Sequence, residues 1–214
     1  MRVSSKADKF FTAEEKERLK TTTQEAESRT IGEIVVMVVD RSDHYIEAEV
    51  LGGVLLGSLL SLILDLLFLH SSIWSYVPLS FLFFFPCRFL FQRIDILKRL
   101  FIGIRRKEEA VRLRAERAFF EKGLYKTKKN TGVLFFLSLL ERKVWVLADK
   151  GIYEKMDEKT LNRYAHEVSR GIREGQACEV LSKAIQEIGV LLSRHFPIIP
   201  DDTDELPDDV MTEE

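Results

Sequence analysis

Two aspartates follow predicted strands at positions where carboxylates could hold a metal ion. Asp40 follows the apolar run Glu33–Val39, and Asp149 follows the run Lys143–Ala148. If these strands are neighbours and run parallel, both carboxylates emerge at one edge of the sheet, where α/β folds commonly bind ligands. Oxygen ligands suit hard cations, so the pair would favour calcium or magnesium.

Three further carboxylates could complete such a site, namely Asp43, Glu154 and Asp157. The alternative is that these aspartates have a structural role and bind no metal. Aspartate after a strand commonly forms a turn, because its side chain accepts hydrogen bonds from the nearby backbone.

The usual signatures of catalysis are absent from the sequence. It has no P-loop, no glycine-rich dinucleotide motif, no serine nucleophile elbow and no zinc-binding HExxH motif. The two cysteines, Cys87 and Cys178, offer neither a disulfide framework nor a zinc site. The net charge of −2 argues against nucleic acid as a partner.

Two long apolar stretches predict a transmembrane helical hairpin. Val50–Leu69 and Ile73–Phe91 are each long enough to cross a bilayer as a helix. Between residues 50 and 91 the only charged side chains are Asp65 and Arg88. The alternative is a pair of buried core helices, although such helices rarely run this long without polar interruption.

The flanking charges predict how the hairpin is oriented. The connecting loop, His70 to Ser72, carries no lysine or arginine, and the segment after the second span is strongly basic. By the positive-inside rule both long flanks are cytoplasmic, as are both termini. The basic side chains are also candidates for binding anionic lipid headgroups, with a purely topogenic role as the alternative. They are Arg93, Lys98, Arg99, Arg105, Arg106 and Lys107.

Asp65 lies near the predicted outer end of the first span. It could reach the outer interface, face a partner helix or be protonated. A role in transport would require oligomerisation, because two spans alone enclose no pathway.

The soluble sequence on either side of the hairpin predicts one α/β fold, a small, mostly buried sheet covered by helices. The predicted parts are residues 10–48 and 105–198 for the soluble domain, 49–91 for the hairpin, 92–104 for a basic juxtamembrane segment and 199–214 for an acidic tail. The tail has no lysine or arginine, which is typical of a solvated, disordered segment. Contact with the basic juxtamembrane segment or loose calcium binding are the alternatives.

An ordered set of short motifs resembles the TPM domain family. The motifs are Thr30-Ile31-Gly32-Glu33-Ile34-Val35-Val36, Gly123-Leu124-Tyr125-Lys126-Thr127, Thr131-Gly132-Val133-Leu134, Glu141-Arg142-Lys143-Val144, Ala148-Asp149-Lys150-Gly151-Ile152, His195-Phe196-Pro197 and Glu205-Leu206-Pro207-Asp208. The resemblance implies an α/β sandwich and, through plant relatives, a phosphatase label. It also implies calcium binding in some members and modulation of membrane-protein complexes in others.

Members with a hairpin inside the domain are mostly bacterial, so the resemblance implies a bacterial inner-membrane protein. The leading functional hypothesis is a membrane-anchored binding or regulatory module for a membrane-associated protein complex, with a divalent cation at Asp40 and Asp149. The alternative, which follows the phosphatase label that the resemblance implies, is a weak metal-assisted acid phosphatase in which a cation at the same carboxylates acts as a Lewis acid.

Overall fold

The chain forms two compact units, one of which is inserted in the sequence of the other. The computed structural model describes residues 5–68, 73–127, 129–199 and 206–213. The first unit combines Met1–Ser42 with Glu108–Glu214, and the second is Asp43–Lys107. We call them the soluble unit and the hairpin unit.

The elements follow one another in the chain as α1 (Ala13–Glu27), β1 (Glu33–Val39), α2 (Ile46–Phe68), α3 (Ile73–Arg93), α4 (Asp95–Phe101), α5 (Ile104–Glu121), β2 (Gly132–Ser138), β3 (Lys143–Ala148), α6 (Lys150–Tyr153), α7 (Glu158–Glu174), α8 (Ala177–His195) and β4 (Met211–Glu213).

The start of α1 shows how local sequence determines a helix boundary. The Thr12 hydroxyl accepts a hydrogen bond from the backbone N–H of Glu15, whose carboxylate accepts one from the backbone N–H of Thr12. This reciprocal capping box satisfies two donors that a helix start otherwise leaves free. The sequence predicted it from these two residues.

The soluble unit is built on a four-stranded sheet in the order β3-β2-β1-β4. Strand β1 runs parallel to both β2 and β4, whereas β2 and β3 are antiparallel. All seven residues of β1 and of β2 are buried. Such continuous burial is typical of strands covered on both faces and explains their unbroken apolar sequences.

Helices cover both faces of this sheet. Alternate residues of β1, including Ile34 and Val36, pack with the apolar faces of α1, α7 and α8. The intervening residues, including Val35 and Met37, pack with the buried face of α5. The predicted α/β class is therefore confirmed, as a sheet between two helical layers.

The hairpin unit contains two antiparallel helices. Helix α2 has 23 residues and α3 has 21, and both are long and apolar enough to cross a membrane by length and composition. A Cβ added at Gly52 would meet the Phe91 ring, and one at Gly57 would lie 3.1 Å from the Phe84 backbone nitrogen. Glycine therefore allows the two helices to approach closely. The predicted loop at His70 to Ser72 lies outside the described residues.

The predicted solvated tail is wrong for residues 206–213. Met211–Glu213 form strand β4, which pairs with the last three residues of β1. Two of the carboxylates that suggested a solvated segment, Asp209 and Glu213, have cationic partners on the soluble unit. The rest of the tail, residues 200–205 and 214, lies outside the described residues.

Candidate functional site

Asp40 lies at the end of β1 and already binds backbone N–H groups of the soluble unit. Its Oδ1 accepts a hydrogen bond from the Ala7 nitrogen at 2.5 Å, and its Oδ2 accepts one from the Lys6 nitrogen at 3.2 Å. Both carboxylate oxygens thus hold the N-terminal segment against the sheet edge. These donors are 34 and 33 residues away in the sequence, so Asp40 has a structural role, but not the local turn-forming one that the sequence allowed as an alternative to metal binding.

Asp149 caps the short helix α6 and lies at the opposite edge of the sheet. Its Oδ1 accepts a hydrogen bond from the Lys150 nitrogen at 2.7 Å. Strand β3 runs against β2 and therefore against β1, so Asp149 follows the strand end that pairs with Val133, while Asp40 follows the end beside Ser138. At about 3.3 Å per residue the two positions are separated by roughly 20 Å.

The prediction that Asp40 and Asp149 share one edge of the sheet is therefore wrong. The weaker candidates do not join them either: Asp157 caps α7, Glu154 is the C-cap of α6, and Asp43 pairs with Arg106 in the hairpin unit. The described ranges contain no group of three or more His, Cys, Asp or Glu side chains that could hold a metal ion. Cation binding at either aspartate alone stays a prediction.

The basic juxtamembrane residues fall into two groups. Lys98 is buried, and its Nζ lies 2.7 Å from Glu49 Oε1. Lys98 is therefore not available to a lipid headgroup, contrary to the prediction. Arg106 pairs with Asp43 and with Glu47. The Lys107 Nζ donates to the Arg99 carbonyl at 2.8 Å.

Arg93 and Arg105, by contrast, have exposed side chains. The guanidinium of Arg93 lies 5.1 Å from the centre of the Phe89 ring. These two exposed arginines are therefore the strongest candidates for the predicted contacts with lipid headgroups. Their binding of headgroups stays a prediction.

Asp65 is 4% exposed, and its Oδ1 has no hydrogen-bond partner among the residues that the structure describes. The side chain therefore lies inside the hairpin unit rather than at an outer interface.

A carboxyl cluster that the sequence did not predict lies beside the start of β1. Glu27, near the end of α1, accepts a hydrogen bond at Oε1 from the Ile34 nitrogen at 2.6 Å. Burial, followed by a side-chain hydrogen bond with Asp208, raises the pKa of Glu27 to about 10. The carboxyl of Glu33, 7% exposed, adds a further like-charged neighbour. Glu27 therefore keeps its proton at neutral pH and donates it to Asp208.

The cluster lines a cavity of about 250 Å³. The lining residues are Gln24, Glu27, Ser28, Thr30, Glu33, Ile198 and Asp208. Gln24 Nε2 donates to Asp208 Oδ2 at 2.9 Å, so both neighbours of Asp208 come from α1. No spacing rule could have found the cluster, because Asp208 is distant in sequence from α1.

The segment that contains Asp208 also contacts the rest of the soluble unit at its C-terminal end, through Glu213. The carboxylate of Glu213 pairs with Arg114 and, at 2.7 Å, with the Lys122 Nζ. The Glu213 carbonyl accepts a hydrogen bond from the Asp40 nitrogen at 3.1 Å. Leu206–Glu213, which we call the strap, thus runs from the carboxyl cluster along the edge of β1. The candidate functional site is this edge with its cluster and its cationic side chains.

Comparison with known proteins agrees with the fold. A family model described as the TPM domain matches residues 97–191. The NMR structure of the BA42 protein from the psychrophilic bacterium Bizionia argentinensis is similar, with a TM-score of 0.60 and 20% sequence identity. The alignment covers 95% of this chain and 96% of that chain. At that identity the likeness shows the fold alone.

No match was found among curated proteins. The family match covers α5, the sheet hairpin of β2 and β3, α7 and most of α8, whereas α1, β1 and β4 lie outside it. Four of the seven motifs quoted from the sequence lie within the matched residues. Residues 97–191 of this chain are thus similar to the TPM domain, and the rest of the chain shares the fold of the BA42 protein.

Proposed function

We propose that this chain is a membrane-anchored TPM domain that binds a membrane-associated protein complex and regulates it. The insertion of the hairpin unit within the sequence of the soluble unit carries the proposal. The soluble unit is assembled from chain on both sides of two helices that are apolar enough to cross a membrane. Two covalent connections keep it at the bilayer surface, which raises its effective concentration toward membrane-bound partners.

The basic residues after α3 support a cytoplasmic location for the soluble unit. Arg93, Arg99 and Arg105 follow or end the second apolar helix. Positive charge next to a span favours the cytoplasmic side of the membrane. We infer a bacterial inner-membrane protein with both termini in the cytoplasm, where the surface of the soluble unit meets the cytoplasmic faces of other membrane proteins.

An exposed apolar cluster on the soluble unit supports protein binding. Leu113 is 50% exposed, Phe120 is 63% exposed and Tyr125 is 43% exposed. The Phe120 and Tyr125 rings lie 5.5 Å apart between centroids. Large aromatic side chains are enriched in protein interfaces and often supply much of the binding energy. We call these three residues the α5 patch.

Photo-crosslinking in native membranes tests the proposal. A photoreactive amino acid is placed at Tyr125, and the same amino acid at Tyr153 serves as a control, because Tyr153 is a second exposed tyrosine with 41% exposure. We expect one membrane protein to crosslink reproducibly from position 125 only, and Phe120→Asp to abolish that product. Equal products from both positions would contradict specific binding at the α5 patch.

The same purified protein should be assayed for phosphate release from an aryl phosphate with calcium or magnesium. The proposed function expects no release above that of a protein-free blank. Release that disappears in Asp40→Asn or Asp149→Asn would favour the metal-assisted phosphatase instead.

A further inference from the structure

The edge of β1 has the properties of a peptide-binding groove. A strand at a sheet edge presents backbone N–H and C=O groups that an added strand can pair with. Asp40 and Ile34 are six positions apart, so by the alternation of a strand both N–H groups point away from β2. The Asp40 nitrogen binds the carbonyl of Glu213, and the Ile34 nitrogen binds the carboxyl of Glu27. Both donors therefore bind partners on the strap side of the sheet.

Three cationic side chains line the path of the strap. Lys20 Nζ lies 3.0 Å from Asp209 Oδ1 near one end. Arg114 and Lys122 both pair with the Glu213 carboxylate at the other end. Arg114 is only 18% exposed and Lys122 only 28%, so their contact with the carboxylate is partly shielded from water. The groove is thus complementary to an extended acidic peptide.

The strap pairs with the sheet over fewer residues than the other strands do. Its strand β4 has three residues, and all three are only partly buried. Strand β1 pairs with β2 over seven residues but with β4 over three. Leu206, Val210 and Met211 pack against the core with partly buried side chains. Segments with short ladders and incomplete burial open at a lower free energy than the rest of a domain.

We propose that the edge of β1 binds an extended acidic strand of a partner protein, and that the strap occupies this groove as an autoinhibitory segment until the partner displaces it. The partner strand would align parallel to β1 and place a carboxylate between Arg114 and Lys122. It would carry further carboxylates toward Lys20 on α1. The inference rests on the proposed function, for which it names the surface and the class of partner.

The carboxyl cluster limits the part of β1 with which a partner strand can pair once it has displaced the strap. Glu27 covers the Ile34 nitrogen with its side chain, so the groove available to an added strand begins beyond this position. Asp208 is hydrogen-bonded to both Gln24 and Glu27. Displacement of the strap would therefore separate Asp208 from these two side chains.

A fluorescent peptide with the sequence of residues 206–213, LPDDVMTE, tests the proposal on the full-length protein in nanodiscs. Glu213→Lys loosens the strap by repulsion from Arg114 and Lys122 and leaves the groove itself unchanged. We expect this variant to bind the peptide at least tenfold more tightly than wild type does, by fluorescence anisotropy. The peptide LPDDVMTK should bind the variant at least tenfold more weakly than LPDDVMTE does.

Glu187→Lys is the matched control, because it makes the same charge change at a surface ion pair of α8. Its peptide affinity should equal that of wild type. Equal affinity of Glu213→Lys and wild type, or equal binding of the two peptides, would overturn the proposal. If Glu213→Lys becomes a dimer by light scattering and binds no peptide, the strap is exchanged between copies and the acidic-partner inference is wrong.

Hydrogen exchange on the wild-type protein provides a second test that needs no variant. Saturating peptide should increase exchange at the amides of Met211–Glu213 while the amides of β2 stay protected. Unchanged exchange of the strap at saturation would refute displacement. These outcomes concern the groove alone, whereas crosslinking from Tyr125 concerns the membrane partner, so failure of one proposal can be told from failure of the other.

Discussion

Replacing Glu27 with glutamine should stabilise the soluble unit by an amount that increases with pH. The pKa of Glu27 is raised from 4.5 to about 10 in the folded chain, first by burial and then by the hydrogen bond with Asp208. Above pH 4.5 the unfolded chain loses this proton while the folded chain keeps it. The folded state is therefore destabilised progressively as pH rises through that range.

The magnitude follows from the two pKa values. A pH of 7 is 2.5 units above the ordinary Glu27 pKa of 4.5. At about 1.36 kcal/mol per unit, keeping the proton in the folded state lowers the free energy of unfolding by roughly 3 kcal/mol. Glutamine has the shape and hydrogen-bonding pattern of the protonated carboxyl. Its Oε1 can accept from the Ile34 nitrogen, and its Nε2 can donate to Asp208. Glu27→Gln should thus gain about 3 kcal/mol at pH 7 and close to nothing at pH 4.5.

Urea unfolding at a series of pH values measures this difference. Cys178 is buried in the core of the soluble unit, so its labelling by a thiol reagent, quantified by mass spectrometry, reports unfolding of that unit within the full-length protein. Glu25→Gln, an exposed carboxyl two residues earlier on α1, should change the free energy of unfolding by less than about 0.5 kcal/mol at every pH. A Glu27→Gln effect that is equal at pH 5 and pH 8, or that is destabilising at pH 8, would refute the reasoning.

Three further predictions concern other contacts. Lys98→Met leaves the buried Glu49 without its cationic partner and should destabilise the hairpin unit by about 3–5 kcal/mol. Lys98→Met combined with Glu49→Met should recover most of this loss. Thermal unfolding in detergent measures both effects. Asp40→Ala removes the acceptor of two backbone N–H groups, so amide exchange of the N-terminal segment should accelerate and the soluble unit should lose about 1–3 kcal/mol. Gly57→Leu places a side chain against the Phe84 backbone and should separate α2 from α3, which a loss of disulfide crosslinking between engineered cysteines on the two helices would detect; unchanged crosslinking would contradict the packing.

Elements with local signals could be predicted from the sequence. The capping box of Thr12 and Glu15 set the start of α1, and the unbroken apolar run at residues 33–39 indicated a strand buried on both faces. The close succession of β2 and β3 indicated an antiparallel hairpin, which the structure confirms. Each of these depends on residues that are near one another in the chain.

The candidate site could not be predicted, because it depends on strand directions and distant contacts. A hairpin reverses the chain, so β1 can run parallel to β2 or to β3 but not to both. The metal-site hypothesis needed β1 parallel to β3, whereas β1 pairs in parallel with β2. This pairing moves Asp149 to the other edge from Asp40. The contact between Glu27 and Asp208 joins the two ends of the chain, and nothing in local composition predicts it.

Lys98 illustrates the same limit at short range. A basic residue among apolar neighbours after a span favours a lipid-facing interpretation. In the structure Lys98 faces Glu49, and Ile96 and Leu100 are exposed at 63% and 74%. The side of α4 that packs against the hairpin helices carries this ion pair and the contact of the Phe101 ring with the Phe91 ring.

We propose that the chain on both sides of the two apolar helices folds into one domain that lies on one side of a membrane. Membrane-impermeant maleimide labelling of intact cells and inverted vesicles tests it directly, with single cysteines at Glu25, Glu187 and Ile73. The native cysteines are both buried, which keeps the background low. We expect positions 25 and 187 to be labelled only in inverted vesicles and position 73 only in intact cells. Labelling of positions 25 and 187 from opposite sides of the membrane would contradict this topology.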